Sequence, residues 1–164
     1  MSSFEQQRPE HARHGIESCW FSRAATTRNV LFVYAHPDDE SFGNAGTIAR
    51  YSAAGAHVHY VCATNGECGM VVPELRNGYN TVAEVRRAEL FCAANTLGLA
   101  SVHFLGYRDS GMRGALDNQH PQAFIQAPFA QVVRQLVMVI RVVRPQIVVT
   151  FNKYGGYGHP DHIS

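Results

Sequence analysis

From Asn29 to Phe151 the chain alternates short apolar runs with longer amphipathic stretches. "NVLFVYA" (29–35) is a continuous apolar run rich in Val and Phe, the pattern of a strand buried on both faces. "GNAGTIARYSAAG" (43–55) predicts a helix with Gly55 as its stop. "HVHYVCAT" (57–64) predicts a second strand, with His57 and His59 on one face as half-exposed residues near its start. After a turn-rich loop, 81–99 predicts a helix: Val82, Val85, Leu90 and Leu97 lie near one side and Gly98 ends it. "SVHFLGY" (101–107) is a third short strand and "RDSGMRGALDNQHPQ" a polar loop. Residues 128–144 predict a helix with Pro128 in its first turn and Pro145 beyond its end, and "QIVVTF" (146–151) a fourth strand. Residues 1–27 show no such pattern and read as an N-terminal arm, leaving 28–164 as one domain.

Alternating strands and helices imply an α/β fold, a mostly parallel sheet with helices on both faces. Right-handed crossovers and the usual doubly wound winding predict strand order 3-2-1-4. The winding then reverses between strands 1 and 4. Ligands of such sheets bind at the carboxyl ends of the strands, at that reversal.

Composition removes several classes of function. Hydrophobic residues are 46% and charged residues 16% of 164, a globular balance, and the net charge of +1 gives no case for nucleic acid or an anionic membrane. No stretch is apolar enough to span a bilayer, and "MSSFEQQRPEHARHG" has no apolar signal region. Four cysteines with no C-x-x-C pair predict reduced thiols in a cytoplasmic protein. "HPDDES" after strand 1 is not a glycine-rich phosphate cradle, and its carboxylates would repel a pyrophosphate, so nucleotide binding is not expected.

The chemistry concentrates in two motifs. "HPDDE" (36–40) begins one residue after strand 1, and "GHPDH" (158–162) follows strand 4 through a glycine-rich loop. Alone, Asp38, Asp39 or Ser41 could cap the next helix, and "HPDH" could be a tight turn. Together, at adjacent strand ends, they predict a metal site. A catalytic zinc takes three His and carboxylate ligands and keeps a position open. His36, Asp39 and His162 can supply the three, leaving Asp38 beside the metal as a general base. Ferrous iron fits the same two-His-one-carboxylate set.

"AHPDDE" with downstream "HPDH", and "RRAELFCAANTLG" between them, resembles the PIG-L / LmbE-like zinc-dependent N-acetylglucosaminyl deacetylases from about residue 29 onward. The resemblance implies a Rossmann-like three-layer sandwich. It also implies a zinc-dependent hydrolase that removes acetyl from an N-acetylglucosaminyl compound, with zinc-bound water activated by Asp38. His36, Asp39 and His162 match the family's metal ligands. His159 matches the histidine that faces the oxyanion or protonates the leaving amine, Asp161 its orienting carboxylate, and Tyr157 a donor to the tetrahedral intermediate. "GYRDSGM" (106–112) resembles the mycothiol-pathway enzymes acting on glucosaminyl-inositol compounds. Arg86 and Asp109 match positions that hold sugar or inositol hydroxyls, and Glu67, in "TNGE" after strand 2, reaches the same sheet edge.

Family members continue beyond the second motif, so the resemblance also implies that the C-terminal part of the family domain is missing here. The partner expected is a small amino-sugar substrate, with self-association over the 146–151 strand edge as a second expectation. An amidase of a glucosaminyl-inositol thiol conjugate, and a non-catalytic remnant that binds sugar or a partner, are the alternatives.

Overall fold

The computed structural model describes residues 28–164 except Asn77. The N-terminal arm expected over 1–27 lies outside the described residues. The strands are β1 (Asn29–Tyr34), β2 (His57–Thr64), β3 (Ser101–Tyr107) and β4 (Ile147–Val149). They form one all-parallel sheet in the order β3-β2-β1-β4. The predicted order is observed. β4 is shorter than predicted, pairing only at Val30↔Ile147, Leu31↔Val148 and Phe32↔Val149.

Two short helices, α1 (Asp39–Gly43) and α2 (Ala45–Ala53), replace the single helix expected after β1, because the chain breaks helical geometry at Asn44. With α3 (Val82–Leu97), α2 covers one face. Ile48 and Leu90 pack there on Val30, Phe32, Tyr34, Val58, Tyr60 and Cys62, the alternate residues of β1 and β2. α4 (Phe129–Val143) lies on the other face, where a second cluster joins Ala63, Tyr107 and Phe124. Leu31 and Val61, which point to that face, are as buried as their neighbours, which is why β1 reads as continuously apolar.

α3 is set by local chemistry. The Thr81 hydroxyl accepts from Glu84 N and the Glu84 carboxylate accepts from Thr81 N, a full capping box. Gly98 closes the helix at φ 73, a conformation open to glycine. α4 starts at Phe129, one position later than predicted, with Pro128 at its cap. Beyond β4 the glycine segment forms a broken turn, α5 (Gly155–Gly158), and then α6 (Pro160–Ile163), with Pro160 at its first position. His57 is exposed, and His59 is half-buried and bonded to Ser101 Oγ at 2.7 Å, in agreement with the strand reading.

Candidate metal centre

The carboxyl ends of β1 and β2 are tied together before the first motif begins. Thr64 donates to Ala35 O from both its N–H (2.8 Å) and its hydroxyl (2.9 Å). Tyr60 donates its hydroxyl to His36 O at 3.2 Å. The chain then turns sharply at Asp38, whose φ of 139 is a strained conformation for a residue with a side chain. Buried Glu40 supports the turn, accepting from Asp38 N and from Ser41 Oγ. Asp38 stands at the cap position of α1 but makes no side-chain cap bond. The capping alternative is therefore not what its carboxylate does.

Asp39 turns back onto the strand end. Its Oδ2 accepts from Ala35 N (3.1 Å) and His36 N (2.9 Å), leaving Oδ1 facing His162 Nε2 at 3.5 Å. His36 Nδ1 lies 3.0 Å from His162 Nε2 and 3.7 Å from Asp39 Oδ2. These separations bracket the roughly 3.3–3.6 Å edges of a tetrahedron with bonds of about 2.0–2.2 Å. The three predicted ligands are thus neighbours, with Asp39 facing His36 through Oδ2 and His162 through Oδ1. The groups whose ligand atoms all lie close enough to share an ion are His36, His159 and His162, and His36, Asp109, His159 and Asp161.

The partners of the other ring nitrogens decide whether the set fits a cation. His36 Nε2 meets Asp161 Oδ2 at 3.1 Å, an acceptor, so the proton of a neutral ring sits on Nε2. His162 Nδ1 meets Gly155 O at 3.1 Å, also an acceptor. The two facing nitrogens therefore present lone pairs to each other at 3.0 Å, with a carboxylate alongside. Such an arrangement needs a positive charge between its members. Without a metal a proton takes that role. Burial lowers the His36 pKa, but the carboxylates of Asp109 and Asp161 outweigh burial and raise it to about 10. His162 is held low, by burial first and then by the charge of His36. His36, His159 and His162 also form a buried group with ligand atoms close enough to share an ion. His162 is fixed from behind by Phe151, stacked at 3.9 Å, and through Phe151 by Tyr34 in the core.

The remaining predicted residues surround this point. Asp38 and His159 line a cavity of about 420 Å³ together with Arg86, Asp109 and Tyr157. Burial pushes the Asp38 carboxyl up to about 6, with Arg86 opposing. Arg86 makes an ion pair with Asp38 and donates to Pro37 O at 2.6 Å. Its guanidinium is thus committed to the first motif rather than left open in the cavity. Asp109 Oδ1 lies 3.5 Å from His36 Nε2 and 4.0 Å from His159 Nε2. Burial raises the Asp109 pKa, but the bond and charge of His36 bring it down to about 2. Glu67 sits behind Asp109, accepting from its N–H at 2.8 Å, and lines a neighbouring cavity. Tyr157 is largely exposed, its ring 5.0 Å from that of His162.

One expectation is corrected. The Asp161 carboxylate makes no hydrogen bond to His159; it binds His36 Nε2 and accepts from Ser110 N at 2.9 Å. Burial lowers the pKa of the His159 ring, and the charge of Asp161 acts to raise it. His159 is the cap of α6 and accepts at Nδ1 from Asp161 N (3.2 Å), so the backbone of Asp161 orients it. The first turn of α6 brings the Asp161 carboxylate onto His36 at the end of β1, close to His159 but bonded to His36. Glu40 and Ser110, both buried supports of the site, were not picked out by sequence reasoning. Glu40 follows "HPDD" directly and could have been found there; Ser110 carries no such signal.

The sequence profile of the PIG-L family, described as GlcNAc-PI de-N-acetylase, matches residues 31–164. The chain belongs to the PIG-L family. Among its relatives, the 1D-myo-inositol 2-acetamido-2-deoxy-alpha-D-glucopyranoside deacetylase of Thermomonospora curvata is 47% identical over 147 residues, covering 84% of this chain and 50% of that protein. Two solved structures are similar to this chain. N,N'-diacetylchitobiose deacetylase from Pyrococcus horikoshii has 31% identity and TM-score 0.65, covering 83% of this chain and 45% of its own. The 4-carboxy-2-hydroxymuconate hydratase GalB from Pseudomonas putida has 30% identity and TM-score 0.61, covering 84% and 52%. The chain spans about half the length of the curated relatives it matches.

Proposed function

We propose that this PIG-L chain carries the catalytic metal centre of a hydrolase that removes acetyl from an N-acetylglucosaminyl compound, with His36, Asp39 and His162 holding zinc. The observation that carries the reading is the pair of facing lone pairs on His36 and His162, closed by Asp39, with Asp38 beside them and free of the set. A bound zinc would supply Lewis acidity, polarising a carbonyl and lowering the pKa of water toward neutrality.

The chain's own groups supply the rest. Asp38 is held at the cavity wall by Arg86, takes the proton of the attacking water, and returns it to the amide nitrogen as the C–N bond breaks to leave the amine and acetate. His159 accepts at Nδ1, so its Nε2 carries the proton and donates to the carbonyl oxygen as charge develops there. Burial lowers the pKa of this imidazole and so favours the neutral ring. Tyr157, at the rim, is a second donor. Asp109, on the opposite wall, accepts hydroxyl protons of a sugar or inositol ring. The names of the inositol-glucosaminide relatives support that substrate class. The hydratase neighbour uses the same fold for another addition of water, so the assay must read the amide bond itself. The free thiols of Cys62, Cys68 and Cys92 fit a reducing cytoplasm. Self-association over β4, whose Val148 is exposed at a strand with one neighbour, is the partner reading.

The test is acetate release from N-acetylglucosaminyl-inositol by the zinc-loaded chain, beside the Asp38→Asn variant. Zinc-dependent release, lost in the variant, supports the reading. Stoichiometric zinc binding without release would favour the non-catalytic alternative.

A further inference from the structure

The polar loop after β3 reaches the metal centre through a hydrogen-bond chain that starts outside the cavity. Asn118 donates its amide to Ser110 O at 2.5 Å and to Met112 O at 3.2 Å, and accepts from Gly114 N at 2.9 Å. Ser110 is fully buried and held again at its hydroxyl, which accepts from Ile125 N at 3.1 Å. With its carbonyl and hydroxyl so fixed, the Ser110 N–H is aimed at Asp161 Oδ2, 2.9 Å away. The same oxygen is 3.1 Å from His36 Nε2.

Asp161 has little else to set its orientation. Its side chain is 0% exposed, and Oδ1 is buried with no hydrogen-bond partner among the described residues. Among the described residues the carboxylate is held at Oδ2 by its two donors, the Ser110 N–H and His36 Nε2. A rotation that lost the His36 contact would leave only Asp109 Oδ1, at 3.5 Å, to hold the proton on His36 Nε2 and keep Nδ1 bare for the metal. Groups in this outer position typically change metal affinity by about 10–100-fold.

We infer that Asn118 and Ser110 are positioning residues for the metal centre, Asn118 acting through the Ser110 N–H and Asp161 on His36. The inference rests on the proposed metal reading of that site. It gives a function to a loop that otherwise reads as a connection, and it assigns Asn118 an effect on an ion it does not touch.

The experiment is a double-mutant cycle read as zinc affinity by chelator competition on folded protein, with Asn118→Ala, Asp161→Asn and both together. Asn118→Ala should weaken zinc binding about tenfold, and by less than threefold when Asp161→Asn is already present. Gln126→Ala removes only the bond from Gln126 Nε2 to Asn118 O and should stay within twofold of the parent. Additive losses, or a folded Asn118→Ala with parental affinity, would overturn the inference. If Asn118→Ala does not fold, Asn118→Asp keeps the Oδ1 acceptor and removes the donors, and is read the same way. A parent chain that binds no zinc would sink the metal reading. Amide exchange at Ser110 would still decide the relay, since Asn118→Ala must lose protection there.

Discussion

At the scale of residues, Asp38 concentrates the tension between stability and chemistry. Its backbone is strained and its carboxyl is pushed up to about 6, chiefly by burial, yet it makes no cap bond that would compensate. Asp38→Asn keeps the shape, and Asn tolerates positive φ. It should lower the rate of acetate release by about 10²–10⁴-fold, the usual span for a general base, with zinc content unchanged. Loss of zinc in this variant would place Asp38 among the ligands. The meeting of "HPDDE" and "HPDH" was legible in the sequence, because both leave the carboxyl ends of strands that the winding makes neighbours. The partner of Asp161 was not legible. It depends on which side of a four-residue helix a carboxylate leaves, and sequence adjacency suggested His159 instead. Arg86 likewise read as a substrate contact, since nothing in the sequence shows that the turn at Pro37 and Asp38 comes within its reach.

At the scale of elements, the closing segment is built around His162. Gly155 has φ 63, and a Cβ there would lie 2.7 Å from His162 Cβ and 2.9 Å from Ile163 Cγ1. Gly155→Ala should therefore displace His162 and weaken zinc binding by at least tenfold, measured by chelator competition. Gly156→Ala, at φ 71 but with no atom within 4 Å, carries the backbone cost of a positive φ without the clash and so isolates the effect of displacing His162. α3 offers a second test away from the metal. Thr81→Ala removes the hydroxyl half of the capping box and should cost about 0.5–2 kcal/mol in denaturant unfolding, with zinc affinity unchanged. The long periodic helices and the strand order were readable in advance. The break at Asn44 was not, since Asn44 turns its amide onto the Tyr34 hydroxyl at 2.6 Å, a tertiary contact, and neither was the short β4, an edge strand that pairs with β1 at three positions.

At the scale of the whole molecule, stability should depend on pH through histidines remote from the site. Burial, then the charges of His103 and His57, lowers the pKa of His59; burial alone lowers that of His103. A depressed imidazole binds fewer protons folded than unfolded. Its contribution is complete above about pH 6.5 and is lost as pH falls below that value. The double variant His59→Gln, His103→Gln should flatten the fall in unfolding free energy between pH 7.5 and pH 5. An unchanged slope would mean that these rings titrate normally.

The metal centre joins β1 to the segment after β4, so ion binding should stabilise the whole fold. Zinc at a hundred times its dissociation constant adds about 2.7 kcal/mol to a chain that binds it only when folded. The central claim is that His36, Asp39 and His162 together hold one divalent ion, and its most direct test is zinc stoichiometry by elemental analysis on the folded chain and on His162→Ala. The account predicts about one zinc per chain, lost in the variant. A folded chain without zinc, or a His162→Ala variant that keeps it, would contradict the account.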